Sequence, residues 1–151
     1  MPTFDLIIDF AHNPAGVQAA LRLARALMVQ KGYERLAISL GQAGDRTDDA
    51  ILGLSKAVVD ANPDQVMVRS IAGYERGRGL DDVAELMQQQ LTDLGFDAQR
   101  IEHCADEVTS MKHAHNWSRG NDLVLHLIHI QREPVATWLA ENQATIVNVD
   151  T

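Results

Sequence analysis

The sequence predicts an α/β fold: one Rossmann-like domain with a mostly parallel six-stranded sheet and helices on both faces. Three observations lead there. Short apolar, β-branched runs alternate with longer stretches of helical spacing, and glycine- or proline-bearing turns separate them. The 151 residues, 46% apolar and 23% charged, suit a single soluble domain with one substantial core.

Taken in order, Leu6-Ile7-Ile8 reads as a buried strand that stops at Asp9. Asn13 then suits a helix cap and Pro14 the first helical turn. Val17, Ala20, Leu21, Leu23, Ala24, Leu27 and Met28 give this helix a broad apolar face, and Gly32 ends it. Leu36 to Leu40 forms the second strand and runs into the loop Gly41-Gln42-Ala43-Gly44-Asp45-Arg46. Thr47 or Asp48 caps the next helix, whose core face includes Ile51, Leu54, Val58 and Val59.

After the turn Asn62-Pro63-Asp64, Gln65 to Arg69 is a third strand, followed by a polar loop, Gly73-Tyr74-Glu75-Arg76-Gly77-Arg78-Gly79. A helix from about Asp81 to Leu94 ends at Gly95. Ala98 to Glu102 is predicted as a short strand and Ala105 to Trp117 as a helix. Leu123 to Ile128 is the most apolar strand, and a short helix from Pro134 to Asn142 and a last strand from Ala144 to Val149 complete the chain. With no repeat, low-complexity tract or linker, residues 1–151 count as one domain.

The net charge of −8 argues against a general nucleic-acid binder, which carries a basic footprint, and against adsorption to anionic membranes. Cys104 is the sole cysteine, so an internal disulfide and a thiolate zinc cluster are both excluded, and a reducing, cytoplasmic location is expected. No apolar run has the length of a signal peptide core or a membrane span.

Three loops that follow strands, residues 9–14, 41–48 and 73–79, are expected to gather at one sheet edge, with His129 to Glu133 as a fourth. In the first, Asp9 suits ribose hydroxyls, and His12 and Asn13 suit an aromatic base or polar groups; a plain Asn cap with incidental neighbours accounts for the same residues. In the second, Gly41 and Gly44 permit close backbone approach and Arg46 suits a phosphate. A tight turn with an exposed ion pair is the alternative. The consensus Gly-x-x-x-x-Gly-Lys-[Ser/Thr] occurs nowhere in the chain. In the third, Arg76 and Arg78 suit a carboxylate or phosphate, or are solvated surface arginines.

His113 and His115, two residues apart, point in different directions on a helix and make no metal pair. His126 is expected as a hydrogen-bonded core residue, Cys104 as structural, and Trp117 and Trp138 as cover for the core. His103 is left without a role. No catalytic residue and no metal ligand is assigned.

Asp9-Phe10-Ala11-His12-Asn13-Pro14-Ala15-Gly16, with Gly44-Asp45-Arg46 and Arg76-Gly77-Arg78, resembles the C-terminal domain of the Mur ligase superfamily. The superfamily includes muramyl peptide ligases, which serve peptidoglycan biosynthesis, folylpolyglutamate synthase and cyanophycin synthetase, and the cyanophycin synthetase branch is the nearest in form. The resemblance implies an ATP-dependent ligase that activates a carboxylate as an acyl phosphate, releases ADP, and joins an incoming amino acid as an amide. It places Asp9, His12, Asn13 and Arg46 at the nucleotide and Arg76 and Arg78 at the amino-acid substrate.

ATP and its Mg2+ would be held mainly by a central domain, with N-terminal and central domains as partners of this one. An Asp-Asn-Pro-Arg loop and a Gly-Lys-Gly-His-Glu segment found in muramyl ligases are both missing; the latter's place is taken by Ile128-His129-Ile130-Gln131-Arg132-Glu133. The lack of a P-loop implies an excised domain that does not catalyse alone. A stand-alone nucleotide- or protein-binding module and a folylpolyglutamate synthase-type domain stand as alternatives.

Overall fold

Successive strand residues point to opposite faces, and here both sets are apolar, so the sheet requires helical cover on each side. The computed structural model of the protein describes residues 4–142 and the backbone of 145–146. Its elements are β1 (Asp5–Asp9), α1 (Pro14–Lys31), β2 (Arg35–Leu40), α2 (Asp48–Ala61), β3 (Gln65–Arg69), α3 (Asp82–Asp93), β4 (Ile101–Cys104), α4 (Glu107–Trp117), β5 (Asp122–Leu127), α5 (Arg132–Glu141) and β6 (Thr145–Ile146). The strand order is β4-β3-β2-β5-β1-β6, and all the described pairings are parallel.

Ile7, Ile38, Val68 and Leu125 face α1, α2 and α3, which bury Val17, Leu21, Ile51, Leu54 and Met87 against them. Leu6, Ala37, Met67 and Val124 face the other way, toward Met111 and Ala114 of α4 and Val135 and Leu139 of α5. This is the predicted α/β layering. The expectation of a six-stranded sheet needs correction. Five strands are full elements, whereas β6 pairs with β1 over two residues only, at Asp5↔Thr145 and Leu6↔Ile146. The rest of the predicted strand Ala144–Val149 lies outside the described residues.

Local hydrogen bonds explain the other shifts. Ala98–Arg100 is a 3-10 turn, because the Asp97 carboxylate accepts the Gln99 N–H at 2.9 Å and holds these residues out of the strand that starts at Ile101. Asp106 caps α4 by accepting the Thr109 N–H at 2.7 Å, so that helix starts at Glu107 rather than Ala105. Thr47, not Asp48, caps α2. Leu23 and Val59 are half-buried, and Ser55, bonded to Gln90 Oε1 at 2.8 Å, is buried within the α2–α3 contact. No helix among the described residues is long and apolar enough to cross a membrane.

One topological feature positions the site. β5 lies between β1 and β2. The chain leaves β1 and β2 toward one face of the sheet but leaves β5 toward α5 on the other. The loops therefore part above the carboxyl end of β5, and a crevice opens there.

Candidate functional site

Asp9 ends β1 half-buried, its Oδ1 accepting the Ala11 N–H at 2.8 Å while its carbonyl accepts the Ile128 N–H at 2.9 Å. The carboxylate is thus held at the crevice by the turn it starts. Asn13 is extended at φ −129° and caps α1 by accepting the Gly16 N–H at 2.8 Å, with Pro14 opening the helix. His12 is exposed on this turn, its Nδ1 3.3 Å from the Phe10 carbonyl. Phe10 is also exposed, and the Arg132 guanidinium sits 4.4 Å from its ring centroid.

The second loop is bonded to both neighbours. The buried Gln42 donates to the His12 carbonyl at 2.6 Å and accepts the Ala43 N–H at 2.8 Å. The Gly44 N–H donates to the Tyr74 carbonyl at 2.9 Å, and a Cβ on Gly44 would stand 1.8 Å from the Glu75 carbonyl oxygen. Only glycine permits this approach of the two backbones.

The two arginines of the third loop are not equivalent. Arg78 Nε donates to the Gly44 carbonyl at 2.9 Å, and its Nη2 reaches the Arg46 carbonyl at 2.9 Å and Asp48 Oδ1 at 2.8 Å. It ties two loops together. Arg76 is exposed, in the left-handed region at φ 52°, with its guanidinium 5.2 Å from the Tyr74 ring centroid. Arg46 is exposed at the far side of the same junction.

Beneath the loops lies a charged pair to which the sequence assigned no role. Arg69, at the end of β3, has a fully buried side chain. Its Nη1 donates to Ser39 Oγ at 2.8 Å, its Nη2 donates to the Leu127 carbonyl and to His129 Nδ1 (3.0 Å), and Glu107 Oε1 is 3.5 Å away. Glu107 Oε1 accepts the N–H groups of His129 and Ile130, and its Oε2 accepts that of Gln131 at 2.7 Å. Burial lowers the Arg69 pKa to about 10 against the opposing pull of Glu107, so the guanidinium is charged at neutral pH. A buried carboxylate that gathers three backbone donors fixes the loop following β5.

Burial, and then the Arg69 charge, push the His129 pKa down to about 4. Because an arginine only donates, His129 Nδ1 is the acceptor and its proton is assigned to Nε2. His126 is in the core, as expected, but neither ring nitrogen has a hydrogen-bond partner among the described residues. The expected hydrogen bond fails because its charged neighbour, Arg69, has its guanidinium amino groups directed at Ser39, Leu127 and His129. Burial, then Arg69, then His129, keep His126 neutral by lowering its pKa well below the ordinary value.

Above this pair is a cavity of about 200 Å³ lined by Gln42, Ala43, Ile71, Tyr74, His129 and Ile130. Farther along the edge, Ser70 Oγ donates to Asp81 Oδ1 at 2.6 Å and so accepts from His103 Nε2 at 2.9 Å. That polarity is opposite to a serine activated by a histidine base. No group of three or more His, Cys, Asp or Glu residues among the described residues is placed to hold a metal ion.

The edge therefore brings together Asp9, His12 and Asn13 with the glycine loop, Arg46 and Arg76, and it uses Arg78 as a tie. A family model described as Mur ligase, glutamate ligase domain, matches residues 2–127. The chain belongs to this family.

Among solved structures it is similar to a UDP-N-acetylmuramoyl-L-alanyl-D-glutamate–2,6-diaminopimelate ligase, with TM-score 0.62 and 18% identity over 83% of this chain and 24% of that one. It is also similar to a murein peptide ligase from Psychrobacter arcticus 273-4, with TM-score 0.63 and 16% identity over 99% of this chain and 30% of that one. At these identities the likeness shows a shared fold. The chain spans only 24% and 30% of the two enzymes' lengths. No curated protein sequence matches it.

Proposed function

We propose that the chain acts as the C-terminal nucleotide- and amino-acid-binding domain of an ATP-dependent, ADP-forming amino-acid or peptide ligase, of the cyanophycin synthetase-like branch, and works in the cytoplasm. In this reading it closes over ATP and Mg2+ held mainly by a central domain. Bound ATP supplies the phosphoryl group that activates the carboxylate to be ligated.

The observation that carries the reading is the Asp9 turn at the switch point of the sheet. Its Oδ1 takes the Ala11 N–H, which orients the carboxylate and leaves the second oxygen as an acceptor for ribose hydroxyls. His12 offers an exposed imidazole face to the base, beside the Asn13 cap. Arg46 would meet the phosphate end. Arg76, exposed and backed by Tyr74, would bind the carboxylate of the incoming amino acid. Asp9, His12, Asn13 and Arg46 fit the ribose-and-base end of a nucleotide. With no P-loop lysine in the chain, a cradle for the terminal phosphates is left to the partner domain.

Calorimetric titration of the chain with ADP tests this: weak binding is expected, lost in Asp9→Ala. In a full-length ligase carrying this domain, Asp9→Ala should abolish amide formation. An unchanged rate there would overturn the role of Asp9.

A further inference from the structure

The Asp9 turn is fastened, residue by residue, to its surroundings. The Asp9 carbonyl accepts the Ile128 N–H at 2.9 Å, and the Phe10 carbonyl lies 3.3 Å from His12 Nδ1. The His12 carbonyl accepts from Gln42 at 2.6 Å, and the Asn13 carbonyl accepts the Val17 N–H at 2.9 Å. Of the carbonyls of residues 9–13 that leaves Ala11, and the side chain facing it is His129.

His129 is anchored from behind. Its Nδ1 accepts from Arg69 Nη2 at 3.0 Å, so the neutral ring carries its one N–H at Nε2. Arg69 is itself held by Ser39, by the Leu127 carbonyl and by Glu107. Glu107 also accepts the backbone N–H of His129. Ring and backbone of His129 are thus tied to one buried pair, and the aim of the ring is fixed. Nε2 is buried and forms no hydrogen bond among the described residues. The Ala11 carbonyl nonetheless favours the protonated ring, as an acceptor facing a ring N–H does. Ala11 joins two peptide groups: the N–H of the first donates to Asp9 Oδ1 at 2.8 Å, and the carbonyl of the second faces His129. Holding that carbonyl restricts rotation at Ala11 and steadies the N–H that orients the carboxylate.

We infer that His129 is a positioning residue for Asp9: anchored on Arg69 through Nδ1, it steadies Ala11 through Nε2–H and so sets the orientation in which the carboxylate meets a ribose. The inference rests on the nucleotide role proposed above and extends it to a residue that touches no nucleotide. It also joins the buried Arg69–Glu107 pair to the nucleotide end of the crevice.

Two amide side chains separate the two ring nitrogens. His129→Asn keeps an acceptor near the Nδ1 position for Arg69 but has no donor at Nε2. His129→Gln keeps a donor near Nε2 but has no acceptor at Nδ1. Both are compared with the wild-type chain by calorimetric titration with ADP and by hydrogen exchange at the Ala11 amide. His129→Gln should hold ADP affinity and Ala11 exchange within about twofold, whereas His129→Asn should weaken ADP binding and speed the exchange about threefold or more. Urea midpoints should fall further in His129→Gln, which leaves an Arg69 donor unmatched, so stability and affinity rank the two variants in opposite order. Wild-type affinity and exchange in His129→Asn, or losses in His129→Gln at least as large, would overturn the positioning role. If the wild-type chain does not bind ADP, the nucleotide role falls, and exchange at Ala11 alone decides whether His129 holds the turn.

Discussion

The two ends of the sheet use similar charged residues to opposite effect. At the amino end of the strands, Arg35 meets Asp122 with two bonds of 2.8 and 2.7 Å and stacks on Trp117, 4.0 Å from its centroid. The Tyr33 hydroxyl donates to Asp5. Oppositely charged side chains there meet each other directly, with Arg35 and Asp122 also bonding the Trp117 carbonyl and the Arg119 N–H. At the carboxyl end, Arg69 and Glu107 stand 3.5 Å apart and direct most of their bonds to backbone groups of the strand ends and loops. Charge is used there to hold loops apart in a set shape, which leaves a cavity and exposes Phe10, His12, Tyr74, Arg76 and Ile130 around it.

The largest expected effect comes from breaking the buried pair. Glu107→Ala leaves the Arg69 charge without its counter-charge and three backbone donors without their acceptor, and should lower the free energy of unfolding by about 3–5 kcal/mol. The double variant Arg69→Met/Glu107→Leu should recover only the part due to the uncompensated Arg69 charge, because the His129, Ile130 and Gln131 N–H groups still lack their acceptor. Asp122→Ala at the amino-end rim, where Arg35 retains access to water, should cost about 1.5–3 kcal/mol. Denaturant melts of the three variants check the order, and equal losses at the two rims would erase the difference between them.

Next is Gly44→Ala, which places a methyl group against the Glu75 carbonyl and should cost about 1–3 kcal/mol by forcing the loops apart. Hydrogen exchange at Gly44, whose N–H donates to Tyr74, should accelerate while exchange at the Arg35–Asp122 rim stays unchanged.

Acid should act on the same end of the sheet. The folded pKa values of His126 and His129 lie below the ordinary value of 6.5, so the unfolded chain binds more protons below that pH. The stability they contribute is fully present above pH 6.5 and falls as pH is lowered toward about 4, where His129 titrates in the folded state. Each such histidine adds a slope of at most about 1.4 kcal/mol per pH unit. His126→Leu should flatten the pH dependence of urea midpoints across this range. An unchanged slope would mean that His126 is protonated, or reached by water, in the folded protein.

The smallest effect has the opposite sign. Arg76 is a non-glycine residue at φ 52°, so Arg76→Gly should stabilise the chain by about 0.5–1 kcal/mol. The same change should weaken binding of the amino-acid substrate in a calorimetric titration. Stabilisation with full binding would make Arg76 a bystander.

The layering of the fold was legible because it rests on local rules. Short, near-continuous apolar runs such as Leu36 to Leu40, the Asn13–Pro14 start and the Gly32 stop are each set by neighbouring residues. The Asp9 turn was legible for the same reason. The weakest predictions were those where a local cap competed with a strand pattern, as Asp97 does before Ile101. Arg69 and Glu107 were missed because their meaning lies in a contact between separate elements. A lone arginine ending an apolar strand, and a glutamate in a first helical turn, each look ordinary alone.

By itself the sequence determined an alternating α/β chain with a capped strand-to-helix turn bearing Asp9, His12 and Asn13, since spacing and capping are properties of adjacent residues. Only the tertiary structure decided that β5 inserts between β1 and β2, that Arg78 is a tie while Arg76 is presented, and that a buried charge pair fixes the loop following β5. Those outcomes depend on which donors and acceptors remain unmatched once the strands have taken their order, and no local pattern encodes that.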